Sequence, residues 1–266
     1  MTDRPFTPPA ADAARRDVYF DDRADRFERN VYGSRKGSLR LALLWADMQR
    51  HIPPLTANVS LNALDAGGGL GQMSAHLATA GHRVLLCEPS TPMLAKAKAL
   101  LVDHPQASHI TCASHALQTI PTNHPFDLVI CHAVLEWLAD PETALTHLMA
   151  LTQPGGYLSL AFYNRESIVW KNLIKGNFRK VQRGELAGDA GSLTPPNPLA
   201  ATDVLAWLQQ YPATVLGVTG IRCLSDYLWP SAQVSEEGLL AMEQDLGQRD
   251  PYRWLGRYIH VTLRRQ

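Results

Sequence analysis

The stretch Val59-Ser60-Leu61-Asn62-Ala63-Leu64-Asp65-Ala66-Gly67-Gly68-Gly69-Leu70-Gly71 decides the fold. An apolar run closes on an acid, glycine-rich chain follows, and residues 71–80 then carry a helical pattern. Strand, tight turn and helix in that order are the context a nucleotide-type loop needs. Glycine lets the backbone turn sharply and lie against a ligand with no Cβ between them. The spacing is G-x-G-x-G, whereas a dinucleotide loop requires G-x-G-x-x-G, and Gln72 stands where its last glycine would fall. That dinucleotide loop cradles a pyrophosphate. The spacing here suits adenosylmethionine, which has none and whose amino-acid end needs close backbone approach.

Working outward, the pattern alternates. Strands are expected over 59–65, 83–88, 109–113, 127–132 and 156–163, with helices over 71–80, 92–102 and 141–151. Such alternation predicts an α/β fold whose mostly parallel sheet carries helices on both faces. The Gly/Pro-punctuated segment 165–200 breaks the rhythm and reads as an insertion after the fifth strand. A helix over 202–210, a strand over 214–224, a helix over 236–246 and a strand over 257–263 complete a seven-stranded sheet. Upstream, residues 1–16 read as a mobile tail. Residues 17–29 look helical, and Leu41, Leu44, Trp45, Met48 and Ile52 recur at helical spacing before Pro53-Pro54. Segment 17–55 is expected to form lid helices, and 17–266 a single domain.

Composition bounds the partners. Of 266 residues, 45% are hydrophobic, and 25 Lys and Arg balance 25 Asp and Glu. Net charge therefore announces no nucleic acid, and any basic surface is local. The four cysteines form no C-x-x-C pair, so no metal site is expected. No apolar stretch is long enough to span a bilayer, and the chain reads as a soluble cytoplasmic protein with no membrane partner.

Further candidates fall at strand ends. Glu88 closes the second strand about twenty residues beyond the loop, where an acid hydrogen-bonds ribose hydroxyls. It is expected near the surface. Ser114 and His115 follow the third strand, where an adenine would lie, and His132 ends the fourth. Asp65, Gly67, Gly68 and Gly69 complete the loop. The ordinary alternatives are a plain tight turn for the loop, a solvated strand end for Glu88 and a capping residue for His132.

The series Leu64-Asp65-Ala66-Gly67-Gly68-Gly69, the acid at Glu88, Phe126-Asp127-Leu128-Val129-Ile130 and Pro154-Gly155-Gly156 is similar to class I methyltransferases, which are Rossmann-like. A narrower likeness lies elsewhere. Tyr19-Phe20-Asp21-Asp22, Phe27-Glu28-Arg29-Asn30-Val31-Tyr32-Gly33 and Lys36-Gly37-Ser38-Leu39-Arg40 resemble the tRNA 5-carboxymethoxyuridine methyltransferase family. So do His132-Ala133-Val134-Leu135-Glu136-Trp137, Phe162-Tyr163-Asn164, Gly176-Asn177-Phe178 and Gly256-Arg257-Tyr258-Ile259-His260-Val261-Thr262. The resemblance spans nearly all of 17–262. It implies methyl transfer from S-adenosylmethionine to the carboxylate of 5-carboxymethoxyuridine at the tRNA wobble position. It also implies cofactor contacts by Arg40, Gly67, Gly68, Glu88, Ser114, His115 and His132. Two features depart from the family pattern: Glu88 stands where the relative has Asp, and 184–198 is Gly/Ala/Pro-rich where the relative is lysine-rich.

A carboxylate nucleophile is already ionised at neutral pH, so no general base is required and no catalytic residue is assigned. Something must hold that carboxylate. Arg35, Lys36, Asn164, Arg222 and Arg257 qualify by type, and the sequence does not choose among them. RNA contacts are expected from Arg35, Lys36, Lys175, Phe178, Arg179 and Lys180. Phe178 would be a stacking platform. Further basic clusters are 26–29, which holds Arg26 and Arg29, and Arg264-Arg265. Charge alone would make these solvated faces. Rival readings are a small-molecule methyltransferase, a non-catalytic module that binds adenosylmethionine, and a nicotinamide oxidoreductase, which the loop spacing disfavours.

Overall fold

The computed structural model describes residues 16–29, 34–188, 192–229 and 231–266. The tail expected over 1–15, the motif residues 30–33 and part of the Gly/Pro-punctuated segment lie outside the described residues.

The strands are β1 (Asn62–Ala66), β2 (Arg83–Cys87), β3 (Ile110–Ala113), β4 (Phe126–His132), β5 (Thr152–Tyr163), β6 (Ala213–Ile221) and β7 (Tyr258–Arg265). They form one seven-stranded sheet in the order β3-β2-β1-β4-β5-β7-β6. The first five are parallel, and β7 runs antiparallel to both β5 and β6. The expected seven-stranded, mostly parallel sheet is therefore present. Strand order reverses direction between β1 and β4, and a crevice opens outside the carboxyl ends of strands at such a switch point.

The α-helices among the described residues begin with α1, a single turn at Ala24–Phe27. The longer ones are α2 (Arg35–His51), α3 (Gln72–Thr79), α4 (Thr91–Leu101), α5 (Pro141–Leu151), α6 (Arg165–Ile174), α7 (Phe178–Gln182), α8 (Ala201–Leu208) and α9 (Glu236–Leu246). Two apolar layers hold the sheet. On one face Leu145, Leu148 and Leu208 pack on Val129, Cys131 and Leu160; on the other Leu43, Leu44, Met48 and Ile52 of α2 pack on Leu128, Ile130 and Ala161. The alternation of β4 explains this, because residues 128 and 130 face α2 while 129 and 131 face α5.

Two expectations upstream meet a different arrangement. Helix α2, expected as part of a lid, packs Leu43, Leu44, Met48 and Ile52 on the sheet, and its Arg40, Leu41 and Leu44 also line the switch-point crevice. The helix expected over 17–29 shrinks to α1, because Asp17 is drawn into tertiary bonds. Its carboxylate accepts from the Ala139 amide at 2.8 Å and from Gln118 at 3.0 Å. The Val18 amide donates to the Trp137 carbonyl at 2.9 Å. Local propensity loses here to long-range hydrogen bonds.

Candidate active site

The switch-point crevice holds two adjoining clefts. The larger has about 710 Å³ of open space and is lined by Gly67, Gly69, Glu88, Arg40 and His132, with an apolar wall that includes Phe20, Phe27, Met93, Leu117 and Trp137. Like most small-molecule sites, it is largely apolar with a few placed polar groups. The smaller is lined by Asp65, Gly67, Gly68, Arg40, His132 and Tyr258.

The loop between β1 and α3 is bent by three left-handed glycines, Gly67, Gly69 and Gly71, with φ of 73°, 59° and 83°. At Gly67 an added Cβ would lie 2.5 Å from Cγ2 of Val134, so the loop after β4 closes directly on it. Below the loop, Asp65 is buried and accepts the Ser74 hydroxyl at 2.7 Å, tying β1 to the first turn of α3. Burial pushes its carboxyl up to about 6, against the opposing pull of Ser74.

Glu88 sits just past β2. Its Oε2 accepts the Gly69 amide at 3.1 Å and its Oε1 the Ser90 amide at 3.0 Å. Burial raises its carboxyl to about 6, although those two bonds favour the charge. A carboxylate has about four acceptor sites, so two remain for hydroxyls in the cleft. Glu88 was expected near the surface; only 7% of it is exposed, because the glycine loop folds over it.

His132 hydrogen-bonds Ser159 at 2.8 Å, and burial together with His260 and Arg40 holds its imidazole neutral, well below its ordinary value. The next residue, Ala133, adopts φ 60°, a strained conformation that recurs at ligand sites. Arg40, from α2, reaches the same walls with its guanidinium over the Tyr258 ring at 5.3 Å. Farther along, Glu136 is wholly buried. Burial pushes its acid up to about 8, and only its Oε1 is satisfied, by the Tyr163 amide at 3.1 Å.

A third cleft, about 610 Å³ of open space, lies past the end of β5 and is lined by Tyr163, Lys171, Lys175, Lys180 and Arg257, together with Ser192 and Thr194. Among the described residues no acid lines it. Burial and the nearby Arg257 lower Lys171 to about 8, against the opposing pull of Asp226.

The chain is similar to known proteins over almost its whole length. A tRNA 5-carboxymethoxyuridine methyltransferase of Escherichia coli O157:H7 is 41% identical over 259 residues, covering 94% of this chain and 97% of the relative. The namesake of Escherichia coli K12 is 40% identical with the same coverage. The chain belongs to the tRNA 5-carboxymethoxyuridine methyltransferase family. A methyltransferase-domain family model matches residues 64–160, the stretch from β1 through most of β5. Two solved structures share the fold. Magnesium protoporphyrin IX methyltransferase from Synechocystis, solved with bound adenosylmethionine, matches with a TM-score of 0.59 at 15% identity over 93% of this chain and 94% of its own. An adenosylmethionine-dependent methyltransferase from Mesorhizobium loti matches at 0.56 and 18%, over 85% and 100%.

In this family member the structure gathers most of the expected site. Arg40, Asp65, Gly67, Gly68, Gly69, Glu88 and His132 all line the two joined clefts. Ser114 and His115 stand at the end of β3 outside those linings, with Ser114 exposed; the turn Leu117–Thr119 carries Leu117 and Gln118 to the wall instead. A Cβ added at Gly68 would meet Leu86 and Asp65 at 2.8 and 2.9 Å, inside the protein rather than in the cleft.

The basic residues divide. Lys175 and Lys180 line the third cleft, with Phe178 and Arg179 exposed on α7 beside it. Arg35 pairs with Glu236 at 3.1 Å and Lys36 with Asp226 at 2.9 Å. Of the carboxylate-holding candidates, Asn164 is consumed in capping α6 and in donating to the Trp254 and Gly256 carbonyls. Arg222 pairs with Asp226 at 2.5 Å. Arg257 is the candidate that lines a cleft. Arg264 and Arg265 lie at the opposite edge of the sheet, since β7 is antiparallel, and bond the carbonyls of Gly155 and Met149. The sequence reading missed the aromatic wall of Phe20, Phe27 and Trp137, whose rings meet edge-on across the chain at 4.7–5.1 Å. No periodicity marks such a wall, and only the family-like segments pointed there.

Proposed function

We propose that this chain transfers the methyl group of S-adenosylmethionine to the carboxylate of 5-carboxymethoxyuridine at the wobble position of tRNA, giving the methyl ester. The full-length likeness to relatives of that name carries the reading. A small-molecule relative, the malonyl-[acyl-carrier protein] O-methyltransferase of Salmonella typhimurium, matches only 43% of the chain at 31% identity.

The chain's residues fit the cofactor. Gly67 and Gly69 bring bare backbone to the cleft, and Glu88 keeps two acceptor sites for ribose hydroxyls. Arg40 offers a guanidinium fork to an amino-acid carboxylate. Met93 and Leu117 would form an apolar seat for a base. When bound, S-adenosylmethionine supplies an electrophilic methyl group on a sulfonium. The protein's share of the chemistry is alignment and exclusion of water, because an ionised carboxylate needs no base.

The third cleft and the exposed face of α7 suit an anticodon arm. Lys171, Lys175, Lys180 and Arg257 would meet phosphates or the substrate carboxylate, while Phe178, 58% exposed, offers a ring for stacking. Arg179 on α7 would add to that face, and Arg35 and Lys36 would contact RNA only by leaving their pairs with Glu236 and Asp226. The segment 165–200 thus acts as an RNA-gripping insertion within one domain. No helix among the described residues is long and apolar enough to cross a membrane, and the cysteines there are free, in keeping with a cytoplasmic tRNA enzyme.

Purified protein with labelled adenosylmethionine tests the reading. Methyl ester should form on tRNA carrying 5-carboxymethoxyuridine and not on tRNA with plain uridine at that position. Equal transfer to unmodified tRNA, or to free 5-carboxymethoxyuridine nucleoside, would overturn it.

A further inference from the structure

A line of buried polar side chains runs beneath α2 to the wall of the cofactor cleft. Asp47 Oδ2 meets His260 Nδ1 at 2.7 Å. His260 Nε2 meets the Ser159 hydroxyl at 2.8 Å. The same hydroxyl meets His132 Nε2 at 2.8 Å. Four elements supply one residue each: α2, β7, β5 and β4. Asp47, Ser159 and His260 are each no more than 2% exposed. Strand register explains the line, because Ile130 pairs with Ser159 and His260 with Ala161, placing residues 132, 159 and 260 on the sheet face that α2 covers. Polar groups are costly in such a layer unless each finds a partner.

The direction of these bonds follows from proton counting. The Asp47 carboxylate only accepts, so His260 Nδ1 carries a proton. Arg50, itself exposed, reaches Asp47 Oδ1 at 3.1 Å. The other groups around Asp47 are Thr219 at 2.9 Å and His51 at 3.6 Å, and Arg40 stands on the His132 side. With that proton on Nδ1, a neutral His260 ring leaves Nε2 to accept from Ser159. The single Ser159 proton is then spent. Its oxygen must accept, and only an Nε2–H on His132 can donate. Among the described residues His132 bonds through Nε2 alone, which leaves the Nδ1 lone pair to the cleft.

We infer that Asp47, His260 and Ser159 are positioning residues that hold His132 as its neutral Nε2–H tautomer, so that Nδ1 presents an acceptor for the ammonium group of the cofactor's amino-acid end. Arg40, on the same walls, takes the carboxylate of that end. The pair thereby distinguishes the two ends of a zwitterion. A His132 with a proton on Nδ1 would turn a donor toward an ammonium that can only donate.

The test starts on the protein without cofactor. Long-range proton–nitrogen NMR on ¹⁵N-histidine protein should show His132 Nδ1 as a bare, acceptor nitrogen and Nε2 as protonated. Ser159→Ala removes the link. It should give a mixed tautomer and weaken S-adenosylhomocysteine about tenfold by calorimetry, the loss expected for a hydrogen bond to a charged group. Ser159→Thr, which restores a hydroxyl, should recover the wild-type pattern. Asp47→Asn places an amide donor against His260 Nδ1 and should reverse every bond, moving the His132 proton to Nδ1; the same exchange inverts the histidine of serine-protease triads. A wild-type spectrum with His132 protonated on Nδ1 would overturn the inference. So would a Ser159→Ala protein that melts lower yet keeps the wild-type His132 signature and affinity, since that is scaffolding alone. Failure of wild-type protein to bind S-adenosylhomocysteine at all would sink the cofactor reading, whatever the tautomer.

Discussion

Glu88→Gln separates binding from folding at the centre of the site. The carboxylate accepts two backbone amides, Gly69 at 3.1 Å and Ser90 at 3.0 Å, and burial lifts it from its ordinary 4.5 to about 6. A rise of that size corresponds to roughly 2 kcal/mol. The sign comes from linkage. The folded state binds this proton more tightly than the unfolded chain, so the associated stability is fully present below the unfolded value and is lost as pH rises through the folded one. At pH 8 the folded protein therefore carries the whole penalty, and glutamine removes it. Against that gain, glutamine turns one acceptor oxygen toward an amide as a donor, a cost of about 1–3 kcal/mol. The two nearly cancel, and the melting temperature at pH 8 should move by no more than about 4 °C for a chain of this size.

Cofactor binding should respond quite differently. Losing a charged acceptor for the ribose hydroxyls removes about 1.5–3 kcal/mol, a ten- to hundredfold weaker Kd. Wild-type affinity should also fall as pH drops below about 6, where Glu88 protonates, by at most about one log unit per pH unit. The variant should lose that dependence. Calorimetric titration of S-adenosylhomocysteine between pH 5 and 8 reads both effects. A folded variant that binds within twofold of wild type refutes the ribose role. An inflection near pH 6 that survives in the variant moves the titration to Asp65, the neighbouring acid that burial also raises to about 6.

The geometry sets three more outcomes. Gly67→Ala places a Cβ 2.5 Å from Val134 at φ 73°, so a left-handed penalty of about 1–2 kcal/mol adds to overpacking of about 1–3 kcal/mol; denaturant unfolding should show the sum and calorimetry a weakened cofactor. Glu136 is held protonated up to about pH 8, so wild-type stability should fall as pH rises from 4.5 to 8, and Glu136→Gln should be more stable at pH 8 by up to about 4 kcal/mol; melting curves that stay parallel across that range count against a neutral acid. Neutralising Lys175, Arg179 and Lys180 together should flatten the salt dependence of tRNA binding, by roughly 0.7–0.9 in log–log slope for each lost phosphate contact, while S-adenosylhomocysteine affinity is unchanged; an unaltered slope removes this face from the RNA site.

How much of this the sequence disclosed depends on the range over which each feature is determined. The sheet was legible because parallel strands buried on both faces must be near-continuous apolar runs, as Leu128-Val129-Ile130-Cys131 is. The glycine loop was legible because left-handed backbone at 67, 69 and 71 leaves a compositional mark. Glu88 was found for its place at a strand end and misjudged for its surroundings, since its burial comes from a loop folding over it. Asp17 shows the same limit from the other side. Its carboxylate serves Ala139 and Gln118, more than a hundred residues away, and no local pattern encodes that.

The positioning line beneath α2 is the most distributed feature of all. Asp47 and His132 are separated by 85 positions, and Ser159 and His260 by 101. Each looks ordinary in its own window: an acid in an amphipathic helix, a serine and two histidines in strands. They become a unit only because β7 inserts antiparallel beside β5, which carries His260 next to Ala161 and beneath α2. A strand on that edge with the opposite direction would present a different set of side chains to Ser159, and the link from Asp47 to the cleft would not form. Topology, more than any local motif, therefore decides which side chains stand behind the His132 imidazole.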